Sequence, residues 1–251
     1  YRDKNFINPP AVGKSLPQTL LKDQEIKIGL DSILIIDGTI RYSEVPEKGT
    51  KAGTISFGQL NAKMENVTNL PDRINQNSVM QTRIKSSVMD QIPVTVAIDF
   101  HLDSELNKFE LSGEVPPHSM TLFNPFTEDG AFLKIKSGNC RSLEFSAVAD
   151  DNVGYGSMYF QYNDFKVALV DKKTANTKKI EESIASFMAN TFIVKKRNLA
   201  ILKLREGDIF FERNKNKSIF NYFSKLFTSG VASSVGLKNH KKDIKQLHQG
   251  L

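Results

Sequence analysis

The residue types suited to chemistry in this chain are four histidines, one cysteine and two adjacent carboxylate pairs. Proton transfer, hydrolysis and metal binding need such groups to converge, as a nucleophile beside its base, two carboxylates flanking a bond, or three or four ligands around an ion. The spacing supplies none of these locally. His101 falls on the polar face of an alternating segment, His118 follows Pro116-Pro117, and His240 and His248 lie in a Lys-rich tail, none with a base or ligand partner nearby in sequence. Asp150-Asp151 and Glu128-Asp129 occupy turn contexts, Ala149 to Asn152 and Thr127 to Gly130, where a short carboxylate accepts backbone hydrogen bonds. Cys140 has no second cysteine to pair with and reads as a small buried hydrophobe. Gly154-Tyr155-Gly156 lacks the third glycine and following helix of a nucleotide loop, and Met158-Tyr159-Phe160 continues it as a strand, so it reads as a bulge or tight bend. The expectation is a non-enzymatic protein with no cofactor and no catalytic or metal-ligating residues.

The elements that would position any site are strands. From about residue 25 to 170 the apolar period is two, the mark of half-buried β-structure. Ile26-Lys27-Ile28-Gly29-Leu30 alternates, and Ser32 to Ile36, Asp37-Gly38 and Thr39 to Tyr42 read as a tight hairpin, with Gly38 supplying a positive φ. Gly53 to Phe57 continues through Leu60, Ala62 and Met64, with Gly58 marking a bend or bulge. Val94, Val96, Ile98, Phe100 and Leu102 share one face of a strand that turns at Asp103 to Asn107 and pairs with Phe109 to Val115, stopped by Pro116-Pro117. Phe132 to Lys136, a Ser137-Gly138-Asn139 turn, Arg141 to Ala147, Gly156 to Tyr162 and Phe165 to Val170 repeat the pattern. The predicted class is mainly β, an antiparallel sheet.

Charge divides the chain of 251 residues. Residues 1–171 hold 17 Lys+Arg against 22 Asp+Glu, net −5, whereas residues 172–251 hold 17 against 6, net +11, matching the overall +6. The first part reads as a β-sheet segment. The second reads as a basic C-terminal segment of two amphipathic helices and short strands. Ile180, Ile184, Phe187 and Met188 give a helix near 178–190, and Ser218 caps a second near 218–229, with Gly230 as its stop. Phe192 to Val194, Leu202 to Leu204 and Asp208 to Glu212 read as strands, and 238–251 as a frayed basic tail. No run of ~20 apolar residues exists and the first residues are polar, so neither a transmembrane helix nor a signal peptide is expected in this stretch.

Two features call for explanation. The long apolar strand faces must be covered by a second sheet, or curl around a groove for an apolar ligand. The stretch Lys215, Lys217, Phe220, Tyr222, Phe223, Lys225 and Phe227 suits either a helix docked on a sheet or one lying in a membrane interface. Nucleic acid fits poorly as a partner, because the aromatics and lysines share one short helix and residues 1–171 are acidic.

The run Gly156 to Val167, the helix ending Phe187-Met188-Ala189-Asn190, Arg205 to Arg213, Lys217 to Phe223 with Ser229-Gly230, and the earlier Phe123-Asn124-Pro125 and Ile135 to Gly138 resemble the C-terminal region of AsmA-like proteins of Bacteroidetes-type bacteria, over roughly residues 25–235. This resemblance implies a long curled antiparallel sheet forming an open groove or half-pipe, related to bridge-like lipid transfer proteins. It also implies a periplasmic location, with the parent protein anchored in the inner membrane and further protein preceding residue 1. The implied function is binding or conducting phospholipid acyl chains between inner and outer membranes, with phospholipid and a membrane surface or outer-membrane partner as contacts. Carried over by position, Val94, Val96, Ile98, Phe100, Phe109, Leu111, Leu143, Phe145, Met158 and Phe160 would line the groove, and Lys215 to Phe227 would meet the membrane or partner. The alternative is a structural or protein-interaction β-module without a lipid groove.

Overall fold

The computed structural model describes residues 2–3, 13–46, 49–169 and 194–249. Among these residues ten strands form one sheet: β1 (Arg2–Asp3), β2 (Gly29–Val45), β3 (Gly53–Thr68), β4 (Val79–Val88), β5 (Ile92–His101), β6 (Phe109–Val115), β7 (His118–Ser119), β8 (Leu133–Ala149), β9 (Val153–Leu169) and β10 (Gly207–Glu212). They lie in the order β1-β2-β3-β4-β5-β6-β8-β9-β10, with β7 beside β8 past the end of β6. Every pairing is antiparallel except β1 on β2, and the sheet does not close into a barrel. The expected mainly β, antiparallel class is the observed one. β10, from the basic segment, pairs with β9, so the two charge-defined parts of the chain share this sheet.

Three stretches expected as turns lie inside continuous strands, Gly58 marks the bulge expected of it, and Gly154-Tyr155-Gly156, expected as a bulge or bend, is regularly paired. Asp37 has φ 52° and the register slips on both sides of Gly38, but the chain stays paired with β3, where Gln59 (φ 47°) follows Gly58. Ser137-Gly138 in β8 and Asn163-Asp164 in β9 do the same, with Gly138 at φ 155° and Asp164 at φ 54°. A primed hairpin turn and a β-bulge need the same positive φ, so residue types alone do not distinguish them. The expected strand at Leu202 to Leu204 is instead a 3-10 turn, Ala200–Leu202, that ends on Lys203 at φ 65°. The helix expected near 178–190 lies outside the described residues.

Two short helices, α1 (Pro17–Lys22) and α2 (Pro71–Gln76), sit at one end of the sheet, and α3 (Asn124–Ala131) bridges β3 and β8 at the other. The main cover is α4 (Ile219–Ser234), followed by α5 (Lys241–Gln249) where a frayed tail was expected. Ser218 caps α4 as predicted, its Oγ accepting from the Asn221 N–H. Gly230 is no stop: it is buried inside the helix against Met158 and Ile209, and the helix ends at Ser234, followed by Gly236, whose φ of 83° lets the Leu237 N–H reach back to the Ala232 carbonyl.

Alternation with paired register assigns each side chain to a face. The inner face carries Phe100, Phe109, Ala149 and Phe211 in one row and Val96, Gly113, Phe145 and Met158 in another. The Phe109 ring, fully buried, meets Phe100 at 5.8 Å, Tyr222 at 5.9 Å and Phe223 at 5.5 Å, joining sheet to helix. Phe109→Ala is expected to cost about 3–5 kcal/mol of stability by urea unfolding, because the cavity opens between two elements fixed elsewhere.

Candidate functional site

The structure places the ten residues expected to line a groove on the inner face of the sheet, and α4 covers much of that face. Ile98, Phe100, Phe109, Leu111, Leu143, Met158 and Phe160 are buried in the core, so these seven line no open groove. Val94, Val96 and Phe145 are only half-buried. The physical reason is that α4 brings its own apolar stripe to the same face: Leu226 packs on Gly154, Phe227 meets Phe145 at 5.4 Å, and Gly230 lies on Met158.

The aromatic residues expected to meet a membrane or partner are turned inward. Tyr222 is buried against Phe109 and Phe211, Phe223 packs on Phe109, and Phe220 meets Tyr42 and Phe57 on the far half of the β2–β3 hairpin. Of the two readings left open for this helix, docking on the sheet is the one observed. Lys225 is exposed, and Lys215 pairs with Asp151 at 3.0 Å. Lys217 is half-buried.

At the end of α4, Arg205 donates from Nε to the Ser234 carbonyl at 2.8 Å. Before its start, buried Arg213 joins Asp151 and the Lys14 carbonyl and lies 6.0 Å from the Tyr222 ring centroid. Buried Tyr162 donates to the Lys195 carbonyl at 2.9 Å. Burial pushes the Tyr162 and Tyr222 hydroxyls up, keeping both neutral. Burial also raises the Cys140 thiol to about 12, so it is not a nucleophile at neutral pH.

Between α4 and β2 the inner face stays partly open. One row of paired positions runs straight across six strands: Ile35, Ala62, Ile84, Val96, Gly113 and Phe145. Ile35 is 43% exposed, Ile84, Val96 and Phe145 are half-buried, and only Ala62 is buried. At ~4.8 Å per strand the five steps make an apolar lane about 24 Å long. The Phe145 ring lies over Gly113, where a Cβ would meet it at 2.7 Å, so the ring itself fills that step of the row. The lane ends where Phe145 meets Phe227 and opens at the β2 edge.

The outer face holds a shallow trough of about 730 Å³ across the same rows. Lys63, Arg83 and Lys85 stand on β3 and β4, and Glu114 and Glu144 on β6 and β8, with Leu34 and Ile36 on one rim and Tyr159 on the other. Arg83 holds Asp99 at 2.5 Å and Lys63 holds Glu65 at 2.7 Å. Sequence reasoning missed this trough because its residues are the ordinary polar half of each alternation.

Among the described residues no three His, Cys, Asp or Glu side chains gather as a metal site, and no helix is long and apolar enough to cross a membrane. Compared with known proteins, the chain matches no family model, no curated protein and no solved structure. Glu114 and Glu144 are directly paired across strands, and both are exposed. Like charges in that position repel, so Glu144→Lys is expected to raise stability by about 0.2–1 kcal/mol in thermal melts at low salt, with the gain shrinking as salt is added.

Proposed function

We propose that this chain is a non-enzymatic segment of a bacterial envelope protein that binds phospholipid acyl chains. The observation that carries the reading is the lane from Ile35 to Phe145, an uninterrupted apolar row open at one end. Its length of about 24 Å exceeds the ~15 Å that one leaflet's chains occupy, half of a 30 Å hydrocarbon core. Burying a chain there recovers about 0.8 kcal/mol per CH₂, while a headgroup at the β2 edge stays in water. Carrying lipid in this way needs no catalytic group. The similarity of residues 25–235 to AsmA-like proteins points the same way, and with it come the periplasmic setting, the inner-membrane anchor of the parent protein and transfer between inner and outer membranes.

The basic C-terminal segment fits an anionic surface. Lys225, Lys238, Lys241, Lys242 and Lys245 are exposed, and each contributes about 1 kcal/mol close to a charged bilayer. A second reading, a protein-interaction β-module without a lipid lane, is favoured by the outer edge of β2, which exposes Leu30, Leu34, Ile36 and Ile40 and is paired with no described residue between Leu30 and Ile40.

Titration with a short-chain phospholipid below its micelle concentration, followed by native mass spectrometry, tests the lane. Ile35→Asp and Ile84→Asp are expected to weaken binding by about 10- to 100-fold, the equivalent of roughly 1.4–2.8 kcal/mol. Lys85→Glu, next to Ile84 in sequence but on the opposite face, is expected to leave binding unchanged. Equal loss in all three variants, or no uptake by the native chain, overturns the lipid reading.

A further inference from the structure

At one corner of the molecule, apolar side chains are held out in solvent by buried hydrogen bonds. After Val194 the chain runs beside β9: the Phe165 N–H donates to the Lys196 carbonyl at 3.0 Å, and Tyr162 and Asn198 exchange backbone bonds at 3.0 and 2.9 Å. It then turns through Ala200–Leu202 and returns at Arg205. Buried Asn198 closes this loop, its Nδ2 donating to the Phe160 carbonyl at 2.8 Å and the Arg205 carbonyl at 2.9 Å while its Oδ1 accepts from the Arg205 N–H at 2.8 Å. Lys203 completes the turn at φ 65°, uncommon for a residue with a side chain. The result is a tip on which Ile201 is 89% and Leu202 54% exposed, Ile201 more than any other large apolar side chain among the described residues. A single exposed aliphatic is ordinary, but two adjacent ones fixed by a fully bonded asparagine call for a partner.

The charge around the tip sets the chemistry of that partner. Residues 194–204 hold Lys195, Lys196, Arg197 and Lys203 and no acid. All four cations are exposed, and none has an ion pair among the described residues. Glu206, the first acid after the tip, is hydrogen-bonded to the Tyr159 hydroxyl. Lys195 lies along Gly236, just past α4, which sets this arm of the loop beside exposed Lys238. Lysine is depleted from the cores of protein interfaces, whereas apolar side chains flanked by cations match a bilayer with anionic headgroups. We infer that the tip from Ala200 to Lys203 is a docking wedge for an anionic phospholipid bilayer. Ile201 and Leu202 enter the boundary between headgroups and acyl chains, and Lys195, Lys196, Arg197 and Lys203 engage the phosphates. The inference rests on the reading of an envelope protein that works at membranes, and it places the contact on this loop because the aromatic residues of α4 are turned into the core. It concerns a bilayer surface and not the lane, so either can fail alone.

The chain has no tryptophan, so Ile201→Trp supplies a single reporter. With vesicles of about 70% phosphatidylcholine and 30% phosphatidylglycerol, its emission is expected to shift to the blue and to be quenched by lipids brominated on their acyl chains. Pure phosphatidylcholine, or about 0.5 M salt, is expected to weaken binding at least about tenfold. Leu20→Trp, 52% exposed on α1 at the end of the sheet where β9 begins, is expected to keep its emission unshifted. Ile201→Ser with Leu202→Ser, both at exposed positions, is expected to lower co-sedimentation of the chain with the anionic vesicles about 10- to 100-fold. Its melting transition and its uptake of short-chain phospholipid are expected to match those of the native chain. No vesicle binding by the native chain, undiminished binding by the double serine variant, or an equal shift in Leu20→Trp overturns the docking site, and none of these outcomes alters uptake in the lane. A blue shift that grows with protein concentration in the absence of vesicles overturns it as well and assigns the tip to a second copy.

Discussion

The contact of Phe109 with Tyr222 and Phe223 is where the sheet and its cover meet, and the rest of the structure follows from how far that cover reaches. A sheet of eight long strands presents an apolar inner face about 34 Å across at ~4.8 Å per strand. A helix is about 10 Å wide, roughly two strand spacings. α4 therefore seals β8, β9 and β10 and touches β6, while α1 and α3 close the two ends. Coverage runs out toward β2, and the half-open lane is what remains.

Position along the sheet thus separates two behaviours of the same residue types. Met158 and Phe145 are neighbours in one transverse row, yet Met158 is fully buried beneath Gly230 and Phe145 is only half-buried where the helix ends its reach. The same gradient explains the edges. Close to α4, serines at 229 and 233 supply partners for β10, and small residues at 207 and 230 let the two elements approach. At the far side, two bulges interrupt the β2–β3 pairing and Tyr42 and Phe57 meet Phe220, while Leu30, Leu34 and Ile36 stay outside the packed core.

Much of this was legible in the sequence. Alternation identified the β class, the Val94 to Phe100 strand and its partner at Phe109 to Val115, and Ser218 marked the start of α4. The misread turns share one cause: positive-φ residues such as Asp37 and Asp164 look like turns locally, and whether the chain reverses or bulges depends on which strand lies alongside. β4 was not anticipated, nor were α1, α2 and α3; each of the three helices is at most eight residues long and leaves little periodic signal. Alternation also could not say which face is covered. It correctly grouped Val96, Phe100, Phe109 and Phe145 together, but only the position of α4 separates the sealed members from the open ones.

A lane that takes acyl chains should be labelled by one. The most direct measurement is photocrosslinking with a phospholipid carrying a diazirine at the end of one chain, followed by mapping of the adducts by mass spectrometry. Binding in the lane places adducts on the strands bearing Ile35, Ile84, Val96 and Phe145, and competition by unlabelled lipid removes them. Adducts scattered over the surface, confined to the polar trough, or resistant to competition would contradict the account.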